Sequence, residues 1–361
     1  MIILGDVAVP NKLHVEKFVD ICSEYFNDAE NLIVNLEGLL SDKVSLMSNK
    51  SVIFNYPSLV EELKLRYDKN VLFCLANNHT LDVVEEFNNT ANAVIKNGYT
   101  FLGACKDSND RNDEVEFIEE GIKVYLFNYC WDFLLYHQTN PTKGVKIETI
   151  DFNKLEKRIM QIKSNEKQKH RIIIYFHWSF DLETIPLPYF RTFAKSLIDL
   201  GVSVVAGCHS HCVQGVESYN GGYIAHGIGN FYFPNGIYIN GKLSFPEMSM
   251  KTVALKYDVE SNNLKLIWFK GNGSNNKYNL KYIAENELEN CDISKKYTKY
   301  NGLSDLDYLC FYNKNRRKKF LIPTFKSHKN HKENFFKMKF LVLRAKIARK
   351  LAELNLRKWQ N

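Results

Sequence analysis

The chain has 361 residues, 45% hydrophobic and 25% charged, which suits one large globular unit or two domains and argues against disorder. No apolar run reaches bilayer-spanning length, and the N-terminus lacks a basic segment followed by a hydrophobic one, so the expectation is a cytoplasmic protein. The net charge of +7 is uneven: residues 314–361 hold 16 Lys/Arg against Glu333 and Glu353, or +14, which leaves −7 on the rest.

Up to about residue 250, short β-branched runs alternate with helical patterns, the signature of an α/β sheet protein. Met1–Leu4 is a first core strand ending at Gly5-Asp6. Leu13–Tyr25 has helical spacing. Asn31–Val34 is a second strand, followed by Asn35-Leu36-Glu37-Gly38. Pro57 opens a helix. Val71–Leu75 is a third strand and runs into Ala76-Asn77-Asn78-His79. Asp82–Asn97 is predicted helical, stopped by Gly98. Lys123–Tyr129 is a strand and residues 151–164 a polar helix. Arg171–Phe176 is the most strand-like run, ending at His177-Trp178. Pro188–Leu200 is a helix stopped by Gly201. Val204–Ala206 then runs through Gly207 and Cys208 into His209-Ser210-His211, and Gly222–Ala225 leads to His226-Gly227-Ile228-Gly229-Asn230-Phe231. Beyond residue 250 the pattern changes. Thr252–Tyr257 and Leu264–Phe269 form a hairpin joined by Ser261-Asn262-Asn263, and residues 285–310 are predicted helical. The division expected is 1–250 as the main domain, 251–313 as an extension of the same unit, and 314–361 as a basic amphipathic tail.

In open α/β sheets, ligands bind at the carboxyl ends of the strands. Here those ends carry Asp6, Glu37, Asn78-His79, His177 and the pair His209/His211. Residues two apart in extended chain face one way, so His209 and His211 should point to one side and Cys208 and Cys212 to the other. Two carboxylates, an amide oxygen and up to four imidazoles make the donor inventory of a mixed N/O site for one or two divalent metal ions, with Mn, Fe and Zn all suited. Any one of these residues alone has an ordinary reading as a helix cap or a turn.

From Ile2 to about Phe233 the chain resembles the CapA family of poly-γ-glutamate capsule-synthesis proteins, in the calcineurin-like metallophosphoesterase superfamily. The motifs that carry the resemblance are Gly5-Asp6, Asn35-Leu36-Glu37-Gly38, Ala76-Asn77-Asn78-His79-Thr80-Leu81-Asp82, His177-Trp178, Gly207-x-His209-x-His211 with Gln214, and Gly229-Asn230-Phe231, in the family's order. The resemblance implies a metallophosphatase-like, multi-layer α/β sandwich, here with a C-terminal β-hairpin and helical extension and a basic helical tail. It makes Asp6, Glu37, Asn78, His177, His209 and His211 metal ligands and His79 the general acid or substrate contact. Asp82 either supports His79 or caps the following helix, the second being favoured. His226 and Trp178 are read as structural. The chain departs from the pattern at Ala8, where calcineurin-like enzymes have histidine, at Asp181, where the family has glutamate, and at Ser210, where proline is usual.

The function expected is a metal-dependent hydrolase or transferase in capsule or other cell-surface polymer synthesis, acting on a small-molecule or polymer substrate. The alternative is a non-catalytic polymer-binding or assembly subunit. The acidic body and the lack of an aromatic-basic single-strand pattern point away from nucleic acid. In the tail, Leu343, Ile347, Leu351 and Leu354 recur at helical spacing among Arg344, Lys346, Arg349, Lys350 and Arg357. This reads either as a helix packed on the body or as one docked on an anionic membrane, which would place the protein at its inner face. Each Lys or Arg near such a surface contributes about 1 kcal/mol.

Overall fold

In β1 (Ile2–Val7) every residue is buried, yet the strand serves two cores. Ile2 and Leu4 face one apolar cluster and Ile3, with Met1, faces another. The same alternation runs through β2 (Asn31–Leu36), where Ile33 parts company with Leu32 and Val34, and through the strand His170–His177, where Ile173 and Tyr175 part from Ile172, Ile174 and Phe176. Side chains of period two, apolar on both faces, dictate a sheet covered on both sides. One cluster lies between two sheets and the other under the helices.

The computed structural model describes residues 1–42, 52–106, 111–136, 144–288, 297, 299–317 and 321–353. After β2 come β3 (Leu39–Leu40), β4 (Phe54–Asn55), β5 (Asn70–Cys74), β6 (Thr100–Leu102), β7 (Ala104–Cys105), β8 (Glu114–Glu119), β9 (Ile122–Cys130) and β10 (Lys146–Ile147). The later strands are β11 (His170–His177), β12 (Val204–Cys208), β13 (Val213–Tyr219), β14 (Gly222–Ile228), β15 (Asn230–Tyr232), β16 (Lys251–Asp258), β17 (Asn263–Asn272) and β18 (Asn279–Glu287). An eight-stranded sheet has the order β18-β17-β16-β1-β2-β5-β6, with β15 also on β1. Its β1, β2, β5, β6 and β15 are parallel, and the last three strands are antiparallel. A six-stranded sheet has the order β13-β14-β12-β11-β9-β8, with a parallel centre. The protein is thus a multi-layer α/β sandwich.

The helices follow their local signals. Lys12–Tyr25 starts where Asn11 Oδ1 accepts from His14 N at 3.2 Å, and Phe152–Asn165 where Asp151 Oδ1 accepts from Lys154 N at 3.0 Å. Pro188 is the first residue of Pro188–Asp199. Two expectations need correction. Residues 82–97 are not one helix: regular α-helix spans only Phe87–Lys96, after turns and a 3₁₀ segment at Val84–Glu86. Residues 285–287 finish β18 rather than open a helix, because Glu285, Asn286 and Glu287 pair with Ile267, Leu266 and Lys265 of β17. Residues 289–296 and 298 of that expected helix lie outside the described residues; Tyr297 is helical, and a described helix spans Asp305–Asn315. The predicted hairpin is β16–β17, and β16 joins β1 through Ile2↔Lys256 and Ile3↔Leu255. Among the described residues no helix is long and apolar enough to cross a membrane.

Candidate metal centre

The parallel centres of both sheets end at the same edge of the sandwich. Asp6 of β1 stands beside Asn35 of β2, and His177 of β11 stands beside Cys208 of β12. The close approach depends on glycine: a Cβ at Gly207 would lie 2.2 Å from Trp178 Nε1, and one at Gly38 would lie 2.3 Å from the Ile53 carbonyl oxygen.

The eight residues proposed from sequence form a linked group. His177 Nε2 is 2.6 Å from Asn78 Oδ1, and its ring centre is 4.7 Å from that of His209. The rings of His209 and His211 are 5.8 Å apart. Asp6 Oδ2 is 3.4 Å from His211 Nδ1, and Asp6 Oδ1 is 3.9 Å from His177 Nδ1. Glu37 Oε1 is 3.6 Å from His79 Nε2, and Asp82 Oδ2 is 2.6 Å from His79 Nδ1. Three overlapping sets of possible donors converge here: Asp6, Glu37 and His211; Asp181, His209 and His211; Asp6, His177 and Cys208.

Electrostatics separates these groups. Burial disfavours the Asp6 carboxylate, but His211 and His177 outweigh it and hold its pKa at about 2. Burial, reinforced by Asp6, lifts Glu37 to about 8. His211 resists burial through Glu37 and Asp6 and rises to about 10, whereas burial and His209 drive His177 well below the usual range. Burial also works against the His79 cation, but Asp82 prevails and raises it to about 9.

These residues fit a divalent cation. Glu37 is fully buried, and neither of its carboxylate oxygens has a hydrogen-bond partner; His209 Nδ1 is also buried and unpaired. A buried carboxylate without hydrogen bonds is costly unless it is protonated or meets a cation. Hard carboxylate oxygens beside imidazoles, which bind metal in their neutral form, are donors that Mn, Fe and Zn accept.

Three expectations change. First, the strand ends at Cys208, and His209 and His211 adopt φ of 83° and 54°. Their rings therefore converge through left-handed backbone rather than strand alternation, at a strain of about 1–3 kcal/mol each. Second, Cys208 does not turn away: its Sγ is 3.1 Å from His177 Nδ1, because the two residues are register partners on one sheet. Burial holds its thiol well above the ordinary pKa, so it is no ready thiolate. Third, Asp82 caps no helix; besides His79 it accepts from Ile53 N at 2.9 Å.

Sequence reasoning passed over the residues that hold the donors. Asn35 Nδ2 donates to Asp6 Oδ1 at 2.8 Å, and the His209 amide donates to Asp6 Oδ2 at 3.2 Å. Asn230 Oδ1 is 2.8 Å from His211 Nδ1, and Asp181 Oδ1 is 3.0 Å from His209 Nε2. Asn35 and Asn230 lie inside the quoted motifs, and that is the signal that could have found them. Ala8 is buried in an apolar cluster with Ile53 and Phe54. Trp178 stacks on Phe176 and Phe190, and His226 bonds Glu217 at 2.7 Å. Neither belongs to the centre.

Fold and site together define an α/β sandwich protein with a candidate metal centre at the joined strand ends of its two sheets. The chain belongs to the family of bacterial capsule synthesis proteins, PGA_cap, whose pattern matches residues 4–235. It is similar to the capsule biosynthesis protein CapA of Bacillus anthracis, at 23% identity over 205 residues, 51% of this chain and 50% of that one. It is also similar to the PGA biosynthesis protein CapA of Bacillus subtilis (strain 168), at 24% identity over 181 residues, 49% of this chain and 46% of that one. The chain therefore spans about half the length of these relatives. Among solved structures, a putative 5'-nucleotidase from Staphylococcus aureus in complex with alpha-ketoglutarate aligns at 14% identity with a TM-score of 0.45, covering 82% of this chain and 57% of that one.

Proposed function

We propose that this protein is a metal-dependent, phosphoesterase-type hydrolase or transferase acting in the synthesis of capsule or another cell-surface polymer. The observation that carries the reading is Glu37, fully buried with neither oxygen hydrogen-bonded, beside Asp6 and a convergent set of imidazoles. The capsule role rests on the family and on the names of the two CapA relatives. Asp6, Glu37, Asn78, His177, His209 and His211 would hold one or two ions of Mn, Fe or Zn, with Asp181 as a further donor at the open side. Such an ion supplies Lewis acidity toward the substrate's oxygens as charge develops on them.

The chain's own residues supply the rest. Asp6 is fixed by Asn35 and by the His209 amide, so it presents a rigid, ionised carboxylate. His79 is anchored through Nδ1 to Asp82, which leaves Nε2 facing the centre. Its raised pKa keeps a proton on the ring at neutral pH, available to a departing oxygen. Activity should then fall as pH rises through the His79 pKa.

A non-catalytic polymer-binding or assembly subunit is the second reading, and the apolar surroundings of Ala8, where the superfamily's enzymes carry histidine, favour it. One experiment separates the two. Elemental analysis after metal-supplemented growth should find at least one transition metal in the wild type and none in His209→Ala/His211→Ala. His79→Ala should keep the metal and slow turnover of a generic phosphodiester or phosphomonoester by about 10²–10⁴-fold. Near-zero metal in the wild type would overturn both the centre and the enzyme reading. Metal without turnover would leave the assembly role.

A further inference from the structure

The last described helix, His331–Glu353, has two apolar faces. One packs on the body. Leu341 is buried in the core, Met338 packs against the core, and Asn334 Nδ2 donates to the Ser327 carbonyl at 2.8 Å. The segment leading to the helix is tied down as well: Phe325 lies against Trp131 and Tyr189, and its carbonyl accepts from Tyr189 N at 3.2 Å. The packing is present, and it leaves a second face uncovered.

That second face carries Phe336, Phe340, Leu343, Ile347 and Leu351, each between 36% and 69% exposed. At 100° per residue the five fall within about 80° of arc, a continuous stripe centred about 120° from Leu341. Lys339, Lys346 and Lys350 are exposed along one edge, and Arg344 borders the other. Glu333, the acidic residue of the first turn, is engaged by Lys337 at 2.5 Å. Leu354 and Arg357 lie outside the described residues.

We propose that this stripe docks on the surface of an anionic lipid bilayer. The apolar side chains would enter the boundary between headgroups and acyl chains, and the long lysine stems would carry their ammonium groups to the phosphates beside it. Charge complementarity selects this occupant. The 16 Lys/Arg against two acidic residues after position 313 match an anionic surface. A second copy of the chain would bring like-charged lysine rows together along the same contact. Nucleic acid would use the cations and leave the aromatic and aliphatic stripe in water. The inference is independent of what the metal centre does.

The test is co-sedimentation of the full chain with vesicles of phosphatidylcholine plus phosphatidylglycerol, against phosphatidylcholine alone. The wild type should partition at least about tenfold more strongly into the anionic vesicles, and salt should weaken the binding. Phe340→Ser/Leu343→Ser/Ile347→Ser and Lys339→Glu/Lys346→Glu/Lys350→Glu should each lose at least about tenfold of that partition. All six side chains are exposed, so folding should be preserved, and an unchanged circular dichroism spectrum verifies this. Three outcomes would overturn the proposal: no vesicle binding by the wild type, a serine variant that binds like the wild type, or a lipid-free dimer in analytical ultracentrifugation that the serine substitutions dissolve.

Discussion

Glu217 and Glu37 are both buried carboxylates, and their surroundings are opposite. Glu217 accepts from Arg191 Nε and Nη2 at 2.8 Å each and lies 2.7 Å from His226 Nε2, while Tyr308 covers the guanidinium at 4.4 Å. Burial raises its pKa, but His226 and Arg191 outweigh it and hold it at about 2. Glu37 has no hydrogen bond and is pushed up to about 8. The Glu217 carboxylate is closed off by Arg191 and His226. The Glu37 carboxylate receives no hydrogen bond, and His79 Nε2 stands 3.6 Å from it.

Removing a partner from the closed cluster should have the largest effect. Arg191→Ala leaves Glu217 buried with only His226 beside it and should cost about 3–5 kcal/mol in urea unfolding. A loss below about 1 kcal/mol would show that the cluster is not closed in solution.

A smaller effect is expected where a neighbour holds a donor. Asn230→Ala frees the His211 ring and should weaken metal affinity by about 10–100-fold, with little change in the unfolding midpoint. Isothermal titration with Mn or Zn reads it, and unchanged affinity would remove Asn230 from the support of the centre.

The sharpest contrast concerns sign. A carboxylate raised to about 8 makes a stability contribution that is present below its ordinary value of 4.5 and is lost as pH rises through about 8. One lowered to about 2 makes a contribution present above 4.5 and lost as pH falls through about 2. The metal-free protein should therefore weaken through Glu37 as pH rises from about 5 to 8, and Glu37→Gln should flatten that slope. Metal affinity in the wild type should rise over the same window, because the cation displaces protons from its ligands. Unfolding curves at several pH values with chelator, for both proteins, check the first part. A wild-type slope that Glu37→Gln leaves untouched would assign the titration elsewhere.

Local chemistry made much of this legible. The β-branched runs marked β1, β2, β5, β11 and β12, since residues apolar on both faces are stable only between two covering layers. The motifs placed polar residues where those strands stop. What remained hidden depended on distance along the chain. Nothing near Lys256 says that it will pair with Ile2, and nothing near Asp181 says that it will meet His209.

The sequence by itself determined the alternating elements, the donor types at their ends and the basic, apolar character of the last helix. Those properties are fixed by residue type at local spacing. Only the tertiary structure decided that the two sheets abut so that Asp6 and Glu37 face His177, His209 and His211, that Asp82 turns to His79 rather than to a helix end, and that the last helix buries Leu341 while leaving Phe340 and Ile347 in water. Each is an outcome of burying the whole chain at once. Left-handed backbone at His209 and His211 is tolerated because the surrounding sheets hold it, and a helix that is apolar on two sides can turn only one of them inward.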